Sequence, residues 1–317
     1  MASSLKTVVL NDGRRIPILG FGTGTAQAHT DCTPVVFSAL SAGLRHLDSA
    51  WHYKNGIYTS AALRDSGLTR EDVWITSKGG DYDGKAEDFD AWWYIKEVLR
   101  DLGMEYVDLF LLHADILVGS VTKAWKQMEE IKKAGLAKSI GVSNFTTENL
   151  QAILDMCEIP PAVSQIEFHP YSLPIYSSSL LPLCRKHNIL IEAYGPLMSL
   201  WRHPNGPVDE VVKTVVSERG GKENEGQVLL MWSQQVTRGV VLTTTSKPER
   251  MVEQSIPFRE DTTVLPLSDQ HIRMISEAGE KAPFRFWGKN WPYFMKGEGG
   301  FHLCPPDATY TIRPPKK

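Results

Sequence analysis

Residues 107–143 read VDLFLLHADILVGSVTKAWKQMEEIKKAGLAKSIGVS, and this stretch contains the pattern that decides the fold. It begins and ends with a short apolar run, as is typical of parallel strands that are covered on both faces. Between the runs, Trp125 and Met128 fall on one face at helical spacing, and Gly135 follows as a helix-ending residue. The stretch therefore predicts a strand–helix–strand unit.

The same alternation extends in both directions from this stretch. Eight short apolar runs alternate with helical patterns along the chain, at residues 19–23, 44–49, 73–78, 107–113, 139–143, 163–168, 190–194 and 240–244. Eight such units in about 250 residues favour an α/β fold of the closed (β/α)8 TIM-barrel type over an open doubly wound sheet.

Two further features lie outside the eight units. Asn11-Asp12-Gly13 stands between two apolar runs and predicts an N-terminal β-hairpin. After about Glu260 the chain is loop-rich, and we expect a C-terminal tail over the barrel mouth. No linker interrupts the pattern, so we expect residues 1–317 to form a single domain.

Composition and charge exclude several classes of protein. A hydrophobic fraction of 42% supports a sizeable core, and a net charge of -3 gives no field that favours nucleic acid or an anionic membrane. The chain has no long apolar run for a membrane span and no apolar segment of a secretory signal near its start. Four cysteines without a CxxC pair are expected to be reduced thiols. We therefore expect a cytoplasmic monomer or homodimer that binds neither nucleic acid nor membranes.

Polar side chains follow three consecutive predicted strands. Asp48, Lys78 and His113 lie at the ends of the second, third and fourth strands, and Tyr53 follows Asp48 on the adjoining loop. The carboxyl ends of barrel strands form the active site in such folds. Each residue alone is more simply a solvated or structural side chain, but their coincidence on three neighbouring strands predicts a catalytic set.

The chemistry of these four side chains suits carbonyl reduction. A phenol has a pKa near 10 in water, and we expect the Lys78 ammonium to lower the pKa of Tyr53. Asp48 would pair with Lys78, and His113 would hydrogen-bond the carbonyl oxygen of a substrate. Hydride attack on the carbonyl carbon builds negative charge on that oxygen, and Tyr53 would protonate it.

Three stretches of the chain resemble the aldo-keto reductase family. They are GLRHLDSA at 43–50 with YKN at 53–55, MEEIKKAGLAKSIGVSNF at 128–145, and the weaker TTTS at 243–246 with Arg250. The resemblance extends from about residue 7 to residue 280 and implies the catalytic tetrad Asp48, Tyr53, Lys78 and His113. It also implies an extended NAD(P)H across the barrel mouth. Residues 20–24 accordingly lack the GxGxxG spacing of a Rossmann domain.

The resemblance further implies a set of cofactor-binding residues. Ser143, Asn144 and Gln165 would hold the nicotinamide carboxamide, and the ring of Tyr194 would stack on the nicotinamide. Contacts along the rest of the nucleotide are expected from Gly22, Thr23, Asp48, Gly195, Leu197, Thr244, Thr245, Arg250 and Gln254.

Departures from the family pattern affect the choice of cofactor. Thr244 stands where the family has a lysine that contacts the 2′-phosphate, so a positive charge is missing there. Arg250 is present and can contact a phosphate with two hydrogen bonds, whereas Gln254 stands at a common asparagine position. We expect NADPH as the cofactor, with NADH as the alternative.

The substrate pocket is expected to be lined by Trp51, His52, His113 and Asp115, with part of residues 198–207. Ala114-Asp115 replaces the Trp-Pro of the family, and Asp115 is either a rim residue or a contact to a polar substrate group. The tail is rich in aromatic residues, which form either a lid over a bulky aromatic or polyketide-like carbonyl compound or a structural wrap around the barrel. These tail residues are Phe284, Phe286, Trp287, Trp291, Tyr293 and Phe294.

Other functions remain open from the residues alone. One is a regulatory or interaction protein that binds a nicotinamide nucleotide on the same scaffold. Another is a barrel hydrolase that uses the carboxylates Glu167 and Glu192 on the sixth and seventh strands. Glu167 and His169 form a Glu-x-His pair, but no third ligand accompanies them, so we expect no metal site.

Overall fold

The structure is a computed structural model and describes residues 4–286 of the chain. Residues 287–317 lie outside the described residues, and with them Trp287, Trp291, Tyr293 and Phe294 of the aromatic tail. The expectation of a single domain over residues 1–317 therefore stays a prediction.

The N-terminal hairpin closes one end of the barrel. Strands β1 (Thr7–Val9) and β2 (Arg15–Pro17) pair antiparallel, and Gly13 in the connecting turn has a φ of 85°. Ile16 is fully buried and packs with residues that begin barrel strands, such as Trp74 and Val163. The predicted hairpin is therefore present, and it covers the amino-terminal end of the barrel.

Eight parallel strands within residues 4–286 form a closed barrel, which confirms the predicted fold class. Each strand pairs with its neighbours in the chain, and the last strand pairs with the first, so the sheet has no free edge. The strands are β3 (Leu19–Gly22), β4 (His46–Asp48), β5 (Trp74–Gly79), β6 (Val107–Leu112), β7 (Ala137–Ser143), β8 (Val163–Glu167), β9 (Leu190–Tyr194) and β10 (Val240–Thr243).

Twelve α-helices occur in the described part of the chain, and the main hydrophobic core lies between them and the barrel. On the fourth helix Trp125, Met128 and Ile131 are fully buried, as the helical spacing predicts. The helices are α1 (Thr33–Ser41), α2 (Gly56–Ser66), α3 (Ala91–Leu102), α4 (Val121–Lys133), α5 (Thr147–Leu154), α6 (Leu173–Tyr176), α7 (Leu180–Lys186), α8 (Met198–Arg202), α9 (Pro207–Glu218), α10 (Glu225–Thr237), α11 (Pro248–Ser255) and α12 (Asp269–Glu280).

Two segments expected to be irregular contain helices. The pocket loop at 198–207 includes the short helix α8, and the region after Glu260 includes α12. The Ser268 hydroxyl caps α12 by accepting a hydrogen bond from the backbone N–H of His271 at 3.2 Å. A β-carbon at Gly279 would lie 2.1 Å from the carbonyl oxygen of Pro170, so α12 crosses the chain after β8 in close contact.

Two properties of the described residues bear on the expected class of protein. None of the helices within residues 4–286 is long and apolar enough to cross a membrane. Cys32, Cys157 and Cys184 are free thiols, and Cys304 lies outside the described residues.

Candidate active site

An ion pair links the carboxyl ends of β4 and β5. Lys78 Nζ donates hydrogen bonds to both carboxylate oxygens of Asp48 at 2.8 Å and to the carbonyl oxygen of Ser49 at 2.9 Å. Burial is the largest single effect and lowers the pKa of Lys78, but Asp48, together with smaller contributions from Tyr53 and Glu192, outweighs it, and the pKa is raised. The ammonium is 0% exposed and is stable there because all three of its protons have acceptors.

Tyr53 lies above this ion pair on the 3-10 turn Trp51–Tyr53 that follows β4. Lys78 Nζ is 5.1 Å from the centre of the Tyr53 ring. Burial raises the pKa of Tyr53, Lys78 opposes this effect, and the Asp48 carboxylate adds to it. The Lys78 ammonium lowers this pKa, as expected, but burial has the larger effect and the net change is upward. Tyr53 therefore keeps its proton at neutral pH, as a proton donor must.

Two residues that were not predicted as site residues support the surroundings of Tyr53: Gly24 lies against the phenol, and Asn55 holds the loop that carries Gly24. A β-carbon at Gly24 would lie only 2.9 Å from Cζ of Tyr53, so the phenol rests directly against this glycine. Asn55 is fully buried, and its Nδ2 donates to the carbonyl oxygens of Thr23 at 2.8 Å and Gln27 at 3.0 Å. The motif containing Asn55 was the available signal for its role. No motif in the sequence indicated Gly24, because its contact with Tyr53 depends on how two loops pack together.

His113 faces Tyr53 across the barrel mouth. Their rings meet edge to face with centroids 5.6 Å apart, and Tyr82 packs on His113 at 5.0 Å. Burial, with smaller contributions from Lys78 and His52, holds the pKa of His113 well below its ordinary value. Its Nδ1 is buried and has no hydrogen-bond partner within residues 4–286. The ring is therefore a neutral imidazole, which can donate one N–H to a carbonyl oxygen.

The loop after β5 adds a cluster that sequence spacing did not reveal. His52 Nδ1 lies 3.2 Å from Asp81 Oδ1, and the His52 ring packs on Tyr82 at 5.0 Å. Asp83 joins them, so His52, Asp81 and Asp83 place three potential metal-ligand atoms within 4.8 Å of one another. The two loops meet only in the folded chain, which explains why no motif indicated the cluster. The hydrogen bond between His52 and Asp81 accounts for their arrangement.

The four residues expected to hold the nicotinamide lie together next to Asp48 and His113. Asn144 has a φ of 54° and donates from Nδ2 to the carbonyl oxygen of His113 at 3.1 Å and to Ser143 Oγ at 3.0 Å. The Tyr194 hydroxyl donates to Asn144 Oδ1 at 2.8 Å. Gln165 donates from Nε2 to Asp48 Oδ1 at 2.8 Å. These contacts join the expected cofactor residues to the predicted catalytic set.

The residues expected along the nucleotide differ in exposure. Gly22 opens on free space, since a β-carbon there would meet no atom closer than 3.8 Å, whereas Thr23 is fully buried and donates to the carbonyl oxygen of Asp48 at 3.1 Å. The Thr23 side chain therefore stabilises the backbone at Asp48 and is not itself exposed at the site. Gly195 has a φ of 65°, and Leu197 precedes α8.

The residues around α11 that are expected to contact the adenosine end of the nucleotide differ in exposure. Thr244 and Arg250 are exposed and Thr245 is half-buried, whereas Gln254 is buried and accepts a hydrogen bond from Thr243 Oγ1 at 2.9 Å. Lys247, which was not predicted, is exposed at the start of α11. Two cations, Lys247 and Arg250, therefore lie close together at the start of this helix.

Two of the expected substrate residues have structural partners. The Trp51 ring packs edge to face on Trp93 and Tyr94 of α3, with centroids 5.3 and 5.1 Å away. Asp115 is 4% exposed, and its Oδ2 accepts hydrogen bonds from the backbone N–H of Thr146 at 2.9 Å and from Asn149 Nδ2 at 2.8 Å. Asp115 therefore holds the start of α5 through these two hydrogen bonds.

The start of the tail packs beside β8. Phe284 is buried against the Tyr171 ring at 5.0 Å, and Arg285 donates to the Tyr176 hydroxyl at 2.7 Å. The backbone N–H of Phe286 donates to Glu167 Oε1 at 2.6 Å, and Glu167 also pairs with His169 at 2.8 Å. Residues 284–286 therefore act as a structural attachment, and the rest of the expected lid lies outside the described residues.

Comparisons with known proteins agree with this architecture. The model of the Aldo/keto reductase family matches residues 19–251. The chain is 36% identical over 256 residues to an NAD/NADP-dependent indole-3-acetaldehyde reductase of Schizosaccharomyces pombe, covering 76% of this chain and 86% of that protein. It is 34% identical over 307 residues to an NADPH-dependent alpha-keto amide reductase of Saccharomyces cerevisiae, covering 88% and 93%.

A solved structure gives the same result in three dimensions. The crystal structure of an aldo/keto reductase from Brucella melitensis superposes with a TM-score of 0.74 at 29% identity, covering 87% of this chain and 100% of that one. The family match over residues 19–251 includes the strands that precede or carry Asp48, Lys78 and His113.

Proposed function

Since the chain belongs to the aldo/keto reductase family, we propose that it uses a reduced nicotinamide nucleotide to convert an aldehyde or ketone carbonyl to an alcohol, with Tyr53 as the proton donor. The observation that carries the proposal is the Asp48–Lys78 ion pair directly below Tyr53, with His113 5.6 Å across the barrel mouth. A proton donor, a charge that stabilises its conjugate base and a carbonyl-orienting group therefore meet at one place.

Each side chain has a defined part in the proposed reaction. When bound, a reduced nicotinamide supplies the hydride that attacks the carbonyl carbon. His113, as a neutral imidazole, donates an N–H to the carbonyl oxygen and fixes its position. Tyr53 transfers its proton to that oxygen as negative charge develops. The Lys78 ammonium favours the phenolate that remains, and Asp48 keeps the ammonium in place.

The residues present fit a nicotinamide nucleotide. A carboxamide needs both donors and acceptors, and Ser143, Asn144 and Gln165 provide both types of group beside the Tyr194 ring. Gly22 leaves open space at the carboxyl end of β3. These features support Ser143, Asn144, Gln165 and Tyr194 as the nicotinamide site.

We further propose NADPH as the preferred nucleotide, with NADH as the alternative. Lys247, the residue before α11, and Arg250, in its first turn, are both exposed and supply two positive charges for a 2′-phosphate. Lys247 thereby compensates for the charge that Thr244 lacks. The names of the relatives include both nucleotides and do not decide between them. The proposed preference for NADPH therefore rests on the two cations of this chain.

The proposed substrate is a bulky, aromatic carbonyl compound, of which a polyketide-like compound is one type. His52, Tyr82 and His113 surround the mouth with rings 5.0 Å apart, and such rings pack well on flat apolar molecules. The S. pombe relative is named for indole-3-acetaldehyde, an aldehyde that contains an aromatic ring system, which agrees with the proposed class of substrate.

A hydrolase is not proposed. Its two carboxylates would be Glu167 and Glu192, and both side chains are buried with hydrogen-bond partners of their own. Neither is placed as an exposed acid or base that could activate water.

The test combines binding with turnover. Fluorescence titration with NADPH and NADH is followed by measuring nucleotide oxidation over a panel of aromatic and aliphatic carbonyl compounds, with Tyr53→Phe as the matched variant. We expect tight nucleotide binding in both proteins and turnover only in the wild type. Binding without turnover on any carbonyl would support the regulatory alternative, and absence of nucleotide binding would overturn the proposal.

A further inference from the structure

A fully buried carboxyl group lies beneath the site and has no part in the proposed reaction. Glu192 is in the middle of β9, and its Oε2 accepts a hydrogen bond from Gln165 Nε2 at 3.1 Å. The same nitrogen donates to Asp48 Oδ1 at 2.8 Å. The Gln165 amide therefore bridges two carboxyl groups, one of which belongs to the Asp48–Lys78 ion pair.

The other oxygen of Glu192 faces a histidine. His46 Nε2 lies 3.3 Å from Glu192 Oε1 and 2.9 Å from Thr76 Oγ1, and both side chains are 0% exposed. The titratable groups that face Glu192 are His46 and Asp48 from β4, Lys78 from β5 and Tyr53 from the loop above. β8 contributes the neutral Gln165, and β10 contributes the apolar Val240 beside it. We call His46, Asp48, Lys78, Gln165 and Glu192 the buried polar network.

The charges in the buried polar network are balanced only when Glu192 is neutral. Lys78 and Asp48 neutralise each other, and no second cation accompanies Glu192, since burial and the Lys78 charge lower the pKa of His46 to about 3. Burial and the Asp48 charge raise the pKa of Glu192 to about 8. At neutral pH Glu192 is therefore a carboxylic acid whose oxygen accepts from Gln165.

We propose that Glu192 is a positioning residue, whose carboxyl group holds the Gln165 amide against Asp48 and so sets how Gln165 meets the nicotinamide. This inference rests on the proposed function, because Gln165 is assigned to the nucleotide there. Loss of the Glu192 proton places a second negative charge beneath the nicotinamide site. The oxidised nicotinamide carries a positive charge and the reduced one does not, so ionised Glu192 favours the oxidised nucleotide.

The experiment compares affinities for NADP⁺ and NADPH by fluorescence titration from about pH 6 to about pH 9. The two nucleotides carry the same phosphates, so their affinity ratio removes phosphate titration from the readout. Glu192→Gln retains an oxygen acceptor for Gln165 but cannot ionise, and Glu192→Ala removes the acceptor. Glu148→Gln, a neutralised carboxylate on the exposed side of α5, is the control for charge alone.

In the wild type and in Glu148→Gln we expect the ratio to shift towards NADP⁺, on the order of fivefold, as pH rises through about 8. Glu192→Gln is expected to match the wild type at about pH 6 and to show no shift. Glu192→Ala is expected to bind both nucleotides more weakly at every pH. Thermal unfolding of each variant separates this weakening from loss of the fold.

Two results would overturn the inference while leaving the proposed function intact. One is a pH shift that persists in Glu192→Gln, and the other is Glu192→Gln binding as weakly as Glu192→Ala at about pH 6. A wild-type protein that binds neither nucleotide would instead overturn the proposed function, and this inference with it.

Discussion

Gly24 and Tyr53 are in direct contact: a β-carbon at Gly24 would lie 2.9 Å from Cζ and 3.1 Å from the hydroxyl oxygen of the tyrosine. The Gly24 φ of -75° is open to any residue, so the glycine is required for space and not for backbone conformation. Tyr53 can therefore occupy its position because residue 24 has no side chain.

Gly24→Ala is predicted to lower kcat by about tenfold to a hundredfold, because a displacement of about 1 Å in a reacting group has effects of that size. Nucleotide affinity should change much less. Gly226→Ala on α10 is the control, since alanine is favoured within helices. Steady-state kinetics of both variants provide the measurement, and an unchanged kcat in Gly24→Ala would show that the phenol has room to adjust.

Asp48→Asn is predicted to destabilise the fold by about 3–5 kcal/mol, because it leaves the Lys78 ammonium buried without its counter-ion. Combining Asp48→Asn with Lys78→Met should cost less than the sum of the two single changes, since no charge is then left unpaired. Urea unfolding of the single and double variants measures these differences. Additive losses would mean that the ion pair is not the main interaction of either side chain.

Lys247→Ala and Arg250→Ala are each predicted to weaken NADPH binding by about tenfold, the size of one lost charge-assisted hydrogen bond. NADH binding should remain unchanged, because NADH lacks the 2′-phosphate. Lys281→Ala removes an exposed lysine beyond α12 and is the matched control. Equal losses for NADPH and NADH would place these cations elsewhere on the nucleotide.

Asp115→Ala is predicted to lower stability by about 1–2 kcal/mol, because two donors at the start of α5 lose their acceptor. Asp115→Asn keeps an acceptor oxygen and should recover most of this loss. Thermal unfolding and KM are measured on both variants. A KM that rises in Asp115→Asn at unchanged stability would instead indicate a contact between Asp115 and the substrate.

Glu192→Gln is predicted to become more stable relative to the wild type as pH rises. The pKa of Glu192 is raised to about 8, so the folded protein keeps a proton that the unfolded chain loses above its ordinary value of 4.5. Wild-type stability from this group is present at low pH and is lost as pH rises towards 8. The difference between variant and wild type should grow by about 1 kcal/mol per pH unit in that window.

Urea unfolding of both proteins at several pH values checks this prediction, because other titrating groups cancel in the difference. A difference that does not depend on pH would mean that Glu192 is already ionised in the folded protein at neutral pH.

The sequence predicts the barrel well because its signals are local. Each apolar run, each helical face and the Asn11-Asp12-Gly13 turn can be recognised within a few residues. The placement of Asp48, Lys78 and His113 also follows, since a closed parallel barrel brings the carboxyl ends of its strands to one face. The closed barrel therefore brings residues that are distant in the sequence together at one site.

The features that the sequence does not predict all depend on contacts between distant segments or on burial. Gly24 meets Tyr53 only after two loops pack together, and His52 meets Asp81 in the same way. The net rise in the pKa of Tyr53 was not predicted, because the sequence shows the neighbouring charge of Lys78 and does not show how deeply the phenol is buried. Helix α12 was not predicted, because the whole segment after Glu260 was interpreted as loop-rich from its composition.

The hairpin beneath the barrel has a consequence for how protons move. Ile16 and Leu10 cover the end opposite the mouth, and directly above them Gly20 is packed so closely that a β-carbon would lie 2.8 Å from His46. Among the described residues, this end of the barrel is therefore closed by packed side chains. Glu192 lies beside Gln165 and Asp48 on the mouth side of this closed end, so we expect its proton to exchange through the mouth and to exchange more slowly when a nucleotide is bound there.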